Sequence, residues 1–153
     1  MLEYKSKLEQ GLYDDCSSII ATIQQNILGK EQSNDEVKAF FTKLVADNYR
    51  YISEMSSGER KEKSLQDALQ NYELANKIPL SGCNPIKLSI CLNMAVLYYE
   101  VQKDLPKATE LTDKALAEAL LKIDELSEAD MKDAKDMIEI MKENVDSWKE
   151  EQE

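Results

Sequence analysis

The chemistry-bearing residues of this sequence cluster between positions 43 and 54. Lys43, Asp47, Arg50 and Glu54 recur at i, i+4, i+7 and i+11, so on a helix they form one polar stripe. The other side of the same segment is apolar or aromatic through Val37, Phe41, Leu44, Val45, Ile52 and Met55. Each base has an acid four residues later, and Tyr51 follows Arg50. Such a set can grip an oxyanion, because Arg offers a planar bidentate fork, Lys a point charge and Tyr a neutral donor. The plainer alternative is i, i+4 ion pairing on a solvated helix face.

Two further segments carry pattern. The first, NPIKLSICLNMAVLYYEV over 84–101, is apolar nearly all round from Leu88 to Val101, with a polar stripe of Ser89, Asn93 and Glu100 and Val96 among them. A buried amide without partners costs about 1–3 kcal/mol, so Asn93 is hard to assign to plain packing. The second segment is LSEADMKDAKDMIEIMKENVDSW over 126–148.

The three segments together resemble the 14-3-3 family of phosphoserine/phosphothreonine-binding adaptors. That family's fifth helix carries K-x-x-x-D-x-Y-R-Y-x-x-E, present from Lys43 to Glu54. Its seventh carries P-I-[RK]-L followed by L-N-x-[SA]-V-x-Y-Y-E, present from Pro85 to Glu100. Its last helix opens L-[SN]-E with a following K-D and closes on an Asn four residues before Trp, as Asn144 stands before Trp148. The resemblance implies that Lys43, Arg50 and Tyr51 bind phosphate, Lys43 at the edge. It implies that Asn93 and Asn144 hydrogen-bond the backbone of an extended peptide, for which an amide supplies both donor and acceptor. Val96 and Ile140 would form an apolar wall opposite, and Glu100 and Trp148 further contacts at the peptide edge. Taken singly, Val96 and Ile140 read as ordinary core positions.

The sequence departs from the family pattern in three ways. The family's first three helices have no counterpart before Met1, and its third helix supplies a Lys and an Arg to the phosphate pocket, so a weakened pocket is expected. Asp136 and Ser147 stand where the family's last helix has leucines. Of the helices through which the family dimerises, only the fourth has a counterpart, at 2–28, so self-association through that segment is expected to differ from the family's. The alternative function is a tetratricopeptide-like scaffold binding unphosphorylated peptides, since 88–119 also fits such a helical hairpin through Leu92, Ala95, Tyr98, Tyr99, Ala108 and Ala115.

The elements that must position these residues follow from the 3.6-residue period. A first helix spans about 2–28, with Leu8, Leu12, Cys16, Ile19, Ile20, Ile23 and Ile27 on one face and Gly29 as its stop. Ser33 and Glu36 form a capping box for a second helix running to about Ser56, closed by Gly58. A third spans 60–77 through Leu65, Ala68, Leu69, Tyr72 and Ala75. Asn84-Pro85 opens the fourth, the most buried, as N-cap and first-turn proline. The fifth restarts at Asp104-Leu-Pro106 and buries Ala108, Leu111, Ala115, Ala119 and Ile123. The sixth is capped by Ser127 with Asp130 and buries Ala134, Met137 or Ile138, Met141, Val145 and Trp148. The expected fold is an all-α antiparallel array of six helices with tetratricopeptide-like hairpin packing, in one domain over 1–153.

Composition narrows the partners. With Lys+Arg 19 against Asp+Glu 30 the formal charge is −11, which disfavours nucleic acid and anionic membranes. There is no His, no Gly-rich phosphate loop, no G-x-S-x-G elbow and no metal-ligand cluster, so neither catalysis nor a cofactor is expected. The three cysteines lack C-x-x-C spacing and fit a reducing compartment. No apolar run approaches membrane-spanning length and no signal-peptide core is present, so the chain is expected in the cytoplasm, bound to phosphorylated protein segments.

Overall fold

The backbone is described over residues 2–28 and 34–151 in a computed structural model, with side chains over 3–26 and 34–151. Six α-helices appear among these residues, and no strand. They fall into two compact units, 1–78 and 79–153.

The first unit holds α1 (Leu2–Ile23), continued by a π-helical turn Gln24–Leu28, then α2 (Asp35–Glu54) and α3 (Gly58–Lys77). The cap of α2 is Asn34, whose Oδ1 accepts from the Val37 backbone N–H at 2.8 Å. The expected cap Ser33 and the stop at Gly29 lie outside the described residues. Gly58 does not close α2, contrary to expectation. It is the first residue of α3, at φ +61°. The end of α2 needs no left-handed glycine because the Met55 N–H and the Ser56 hydroxyl turn back onto its last carbonyls, Ser56 Oγ reaching Ile52 O at 2.6 Å.

Cys16, Ile20 and Ile23 of α1 close on Val45 and Ile52 of α2, flanked by Tyr13, Phe41, Leu44, Tyr49 and Met55. The apolar stripe expected on the first helix therefore divides. Its Cys16 side is core, whereas Leu8, Leu12 and Ile19 are 51%, 49% and 44% exposed; the Ile27 side chain lies outside the described residues. Helix α2 also pairs closely with α3. Fully buried alanines on both helices (Ala39, Ala46, Ala68 and Ala75) permit close backbone approach, and Tyr72 of α3 is fully buried with them.

The second unit holds α4 (Pro85–Glu100), α5 (Leu105–Lys122), a 3₁₀ turn Ile123–Glu125 and α6 (Glu128–Glu151). Three caps form as the sequence suggests. Asn84 Oδ1 accepts from the Ile86 N–H at 2.8 Å, Asp104 Oδ1 from Lys107 at 3.1 Å and Ser127 Oγ from Asp130 at 3.3 Å. Helix α4 is the most apolar element and packs on both α5 and α6. Leu88 and Cys91 of α4 join Ala115 and Ala119 of α5 and Ala134, Ile138 and Met141 of α6 in one core. In the α4–α5 hairpin Ala95, Tyr98, Ala108 and Ala115 are all buried, the small–large packing expected of helical repeats. The segment before α4 seals this core, with Cys83 Sγ 3.3 Å from Lys122 O. No helix of the described residues is long and apolar enough to cross a membrane.

Candidate functional site

The polar stripe of α2 is only partly solvated: Asp47 is 5% exposed and Lys43 and Arg50 are half-buried, whereas Glu54 is exposed. Lys43 Nζ lies 2.8 Å from Asp47 Oδ2, the i, i+4 pair expected from the spacing. The hydroxyl of Tyr72 donates to the other oxygen, Asp47 Oδ1. Burial, followed by the charge and hydrogen bond of Asp47, pushes the Tyr72 hydroxyl far above the ordinary tyrosine range. The charge of Lys43 is thus balanced inside the protein.

Arg50 stands differently. Its Nε is buried with no hydrogen-bond partner. No ion pair joins it to Glu54 at i+4. Burial opposes its charge, but Tyr72, Asp47, Tyr51 and Glu54 together outweigh that and hold the guanidinium above its ordinary value. The guanidinium carbon is 5.7 Å from the centre of the Tyr51 ring, and Tyr51 is 42% exposed. Arg50 and Tyr51 therefore offer a fixed cation and a phenol at an accessible surface.

In the second unit the candidate residues line α4 and α6, which pack together. Asn93 and Val96 are half-buried on α4, and Glu100 is exposed. On α6, Asp136, Ile140, Asn144 and Ser147 follow one another along a single face, with Asn144 half-buried and the others exposed. Ile140, an ordinary core position when taken singly, is 43% exposed while its neighbour Ile138 is 6% exposed. Trp148 shows only 6% of its surface and stacks on Tyr99, with ring centres 4.9 Å apart and planes at 23°.

Two features escaped the sequence. Tyr72 read as one apolar position of the third helix, and no spacing rule ties it to Asp47, 25 residues away. A cleft of about 350 Å³ in the first unit is lined by Tyr13, Tyr49, Arg60, Lys63 and Asp67, among others. There the Arg60 guanidinium lies 4.2 Å from the Tyr13 ring centre.

Six α-helices, with no strand among the described residues, define an all-α helical array. The chain belongs to the 14-3-3 family, whose model, described as "14-3-3 protein", matches residues 1–149. It is similar to a 14-3-3 protein of Giardia intestinalis, 35% identical over 147 residues that make up 95% of this chain and 59% of that protein. The checkpoint signal transducer rad24 of Schizosaccharomyces pombe is 32% identical over 149 residues, 95% of this chain and 55% of the relative. The 14-3-3 protein beta/alpha-1 of Oncorhynchus mykiss is also 32% identical over 149 residues, 95% of this chain and 61% of the relative. The chain thus spans somewhat over half the length of these curated relatives.

Proposed function

We propose that this chain is a non-catalytic adaptor that binds protein segments carrying phosphoserine or phosphothreonine. The observation that carries this reading is the contrast between its two stripe cations. Lys43 is paired with Asp47 at 2.8 Å, whereas the buried Arg50 Nε has no partner and sits beside the exposed Tyr51. Arg50 and Tyr51 then take the phosphate, with Lys43 at the edge. Asn93 and Asn144 hold the peptide backbone, Val96 and Ile140 give it an apolar wall, Glu100 contacts its edge, and Trp148 on Tyr99 secures the end of α6. Family membership supports the adaptor role, and the −11 charge disfavours nucleic acid or anionic lipid as partner. The working compartment of such an adaptor is the cytoplasm.

The grip is weak on this account. Charge-assisted hydrogen bonds contribute roughly 1.5–3 kcal/mol each. Two of them give a dissociation constant of roughly 0.04–6 mM for the phosphate group itself. Calorimetry with a phosphoserine peptide and its unphosphorylated twin tests the proposal. Weak binding of the phosphopeptide, lost in Arg50→Ala and absent for the twin, is expected. Equal binding of both peptides would overturn it in favour of a scaffold for unphosphorylated segments.

A further inference from the structure

Helices α1 and α3 both pack on α2, and among the described residues they do not pack on each other. The space left between them is the cleft of about 350 Å³ that holds Tyr13, Tyr49, Arg60, Lys63 and Asp67. Its floor is apolar, because Ile20 of α1 and Ile52 of α2 line it and are otherwise core, 5% and 3% exposed. The half-buried rings of Tyr13 and Tyr49 stand beside them. A smaller cleft of about 250 Å³ shares Tyr13 and Arg60 and is otherwise lined mainly by polar groups, Ser6, Glu9, Gln10, Ser56 and Ser57 among them. Arg60, with its guanidinium 4.2 Å from the Tyr13 ring centre, therefore stands where an apolar recess meets a polar one. Lys43, Arg50 and Tyr51 line neither cleft.

Charge sets this place apart. The chain carries −11, yet the larger cleft sets Arg60 and Lys63 against Asp67. Lys63 Nζ lies 3.9 Å from Asp67 Oδ2 with its side chain 80% exposed, a loose pair of a kind that contributes little. Arg60 is exposed, and a planar guanidinium matches a carboxylate. Burial, then Asp67 and Tyr13, push the Tyr49 hydroxyl above its ordinary value, so it stays a neutral donor.

We infer that this cleft is a ligand site separate from the phosphate grip, and that it takes a small planar aromatic molecule carrying one anionic group. The ring lies on Ile20 and Ile52 between the two tyrosines, in the offset or edge-on contacts that aromatic rings favour. The anionic head lies at Arg60, within reach of the polar recess. Glu9 and Asp67 limit its charge, since a second negative group would meet one of them. The volume is at the lower end of small-molecule sites and suits about two fused rings. A cationic ring is the rival that tyrosines invite, but Arg60 already covers the Tyr13 face.

The probes are naphthoate, its neutral amide and naphthylmethylammonium, titrated into the full chain by calorimetry. The ¹H–¹⁵N resonance of Arg60 Nε–H is followed in parallel. Naphthoate should bind at least about tenfold more tightly than the amide, the yield of one charge-assisted contact, and should shift the Arg60 resonance. Arg60→Gln should remove that preference and leave binding of the amide unchanged. Ala21→Trp, at an exposed position that lines the cleft, should weaken both ligands by filling it. Equal affinity for all three probes would overturn the inference, because exposed apolar surface such as Leu8 and Leu12 of α1 would then suffice. So would tighter binding of the ammonium, an Arg60→Gln variant that keeps the preference, or no binding at millimolar probe. Naphthoate affinity untouched by Ala21→Trp overturns it as well, and that variant decides alone if Arg60→Gln loses helicity by circular dichroism.

Discussion

Truncating the single tryptophan, Trp148→Ala, should cost the second unit much of its stability. The indole is 6% exposed and stacks on Tyr99 of α4, with ring centres 4.9 Å apart. It is the last buried residue of α6, one turn beyond Val145, so it joins the end of that helix to α4. Large-to-small changes at buried aromatic positions cost about 3–5 kcal/mol. About 0.5–1.5 kcal/mol of that belongs to the ring pair itself rather than to buried area. Urea unfolding followed by far-UV circular dichroism measures it. With a slope of about 2 kcal/mol per molar urea, the midpoint should fall by roughly 1.5–2.5 M. Trp148→Phe should recover a good part of the loss by restoring a stacked ring. Leu121→Ala, at a side chain 85% exposed, serves as control and should stay within about 0.5 kcal/mol of the parent. A Trp148→Ala variant as stable as that control would refute the argument, and would return Trp148 to the role of a surface contact for the peptide edge.

Other outcomes follow from single sites. Gly82→Ala should destabilise the second unit by about 1–3 kcal/mol, because a Cβ there would lie 2.9 Å from Glu118 Cβ and 3.1 Å from its carbonyl carbon. A variant with an unchanged urea midpoint would show that the segment before α4 is not seated on α5. Stability should fall as pH rises above about 10, the ordinary tyrosine value, because Tyr72 stays protonated when folded and ionises once unfolded. Denaturation across that range should give a shallower fall for Tyr72→Phe; parallel curves would refute it. The exposed Tyr4, Leu8, Leu12 and Ile19 share one side of α1, and an apolar stripe of that kind marks an association surface. Light scattering at physiological salt should therefore find species larger than one chain that Leu12→Asp reduces to monomer, and a parent chain that is monomeric would exclude it.

Much of the helical frame was legible because its signals are local. Asn84 before Pro85, Asp104 and Ser127 cap their helices through bonds to N–H groups within three residues, so the sequence alone locates those ends. The near-uniform apolarity of 88–101 likewise foretold a deeply buried helix, and α4 packs on both α5 and α6. The spacing of Lys43 and Asp47 foretold their ion pair. The same spacing joins Arg50 to Glu54, yet no pair forms there among the described residues. Periodicity states which residues share a helix face. It does not state which part of that face another helix will cover, and packing alone settled that. Packing divided the stripe of α1 into a buried Cys16 side and an exposed Leu12 side, and it exposed Ile140 while burying Trp148. It also brought the Tyr72 hydroxyl to Asp47 across 25 residues of sequence. A buried hydrogen bond between two helices depends on their distance and rotation, and neither quantity is written in the spacing along one chain.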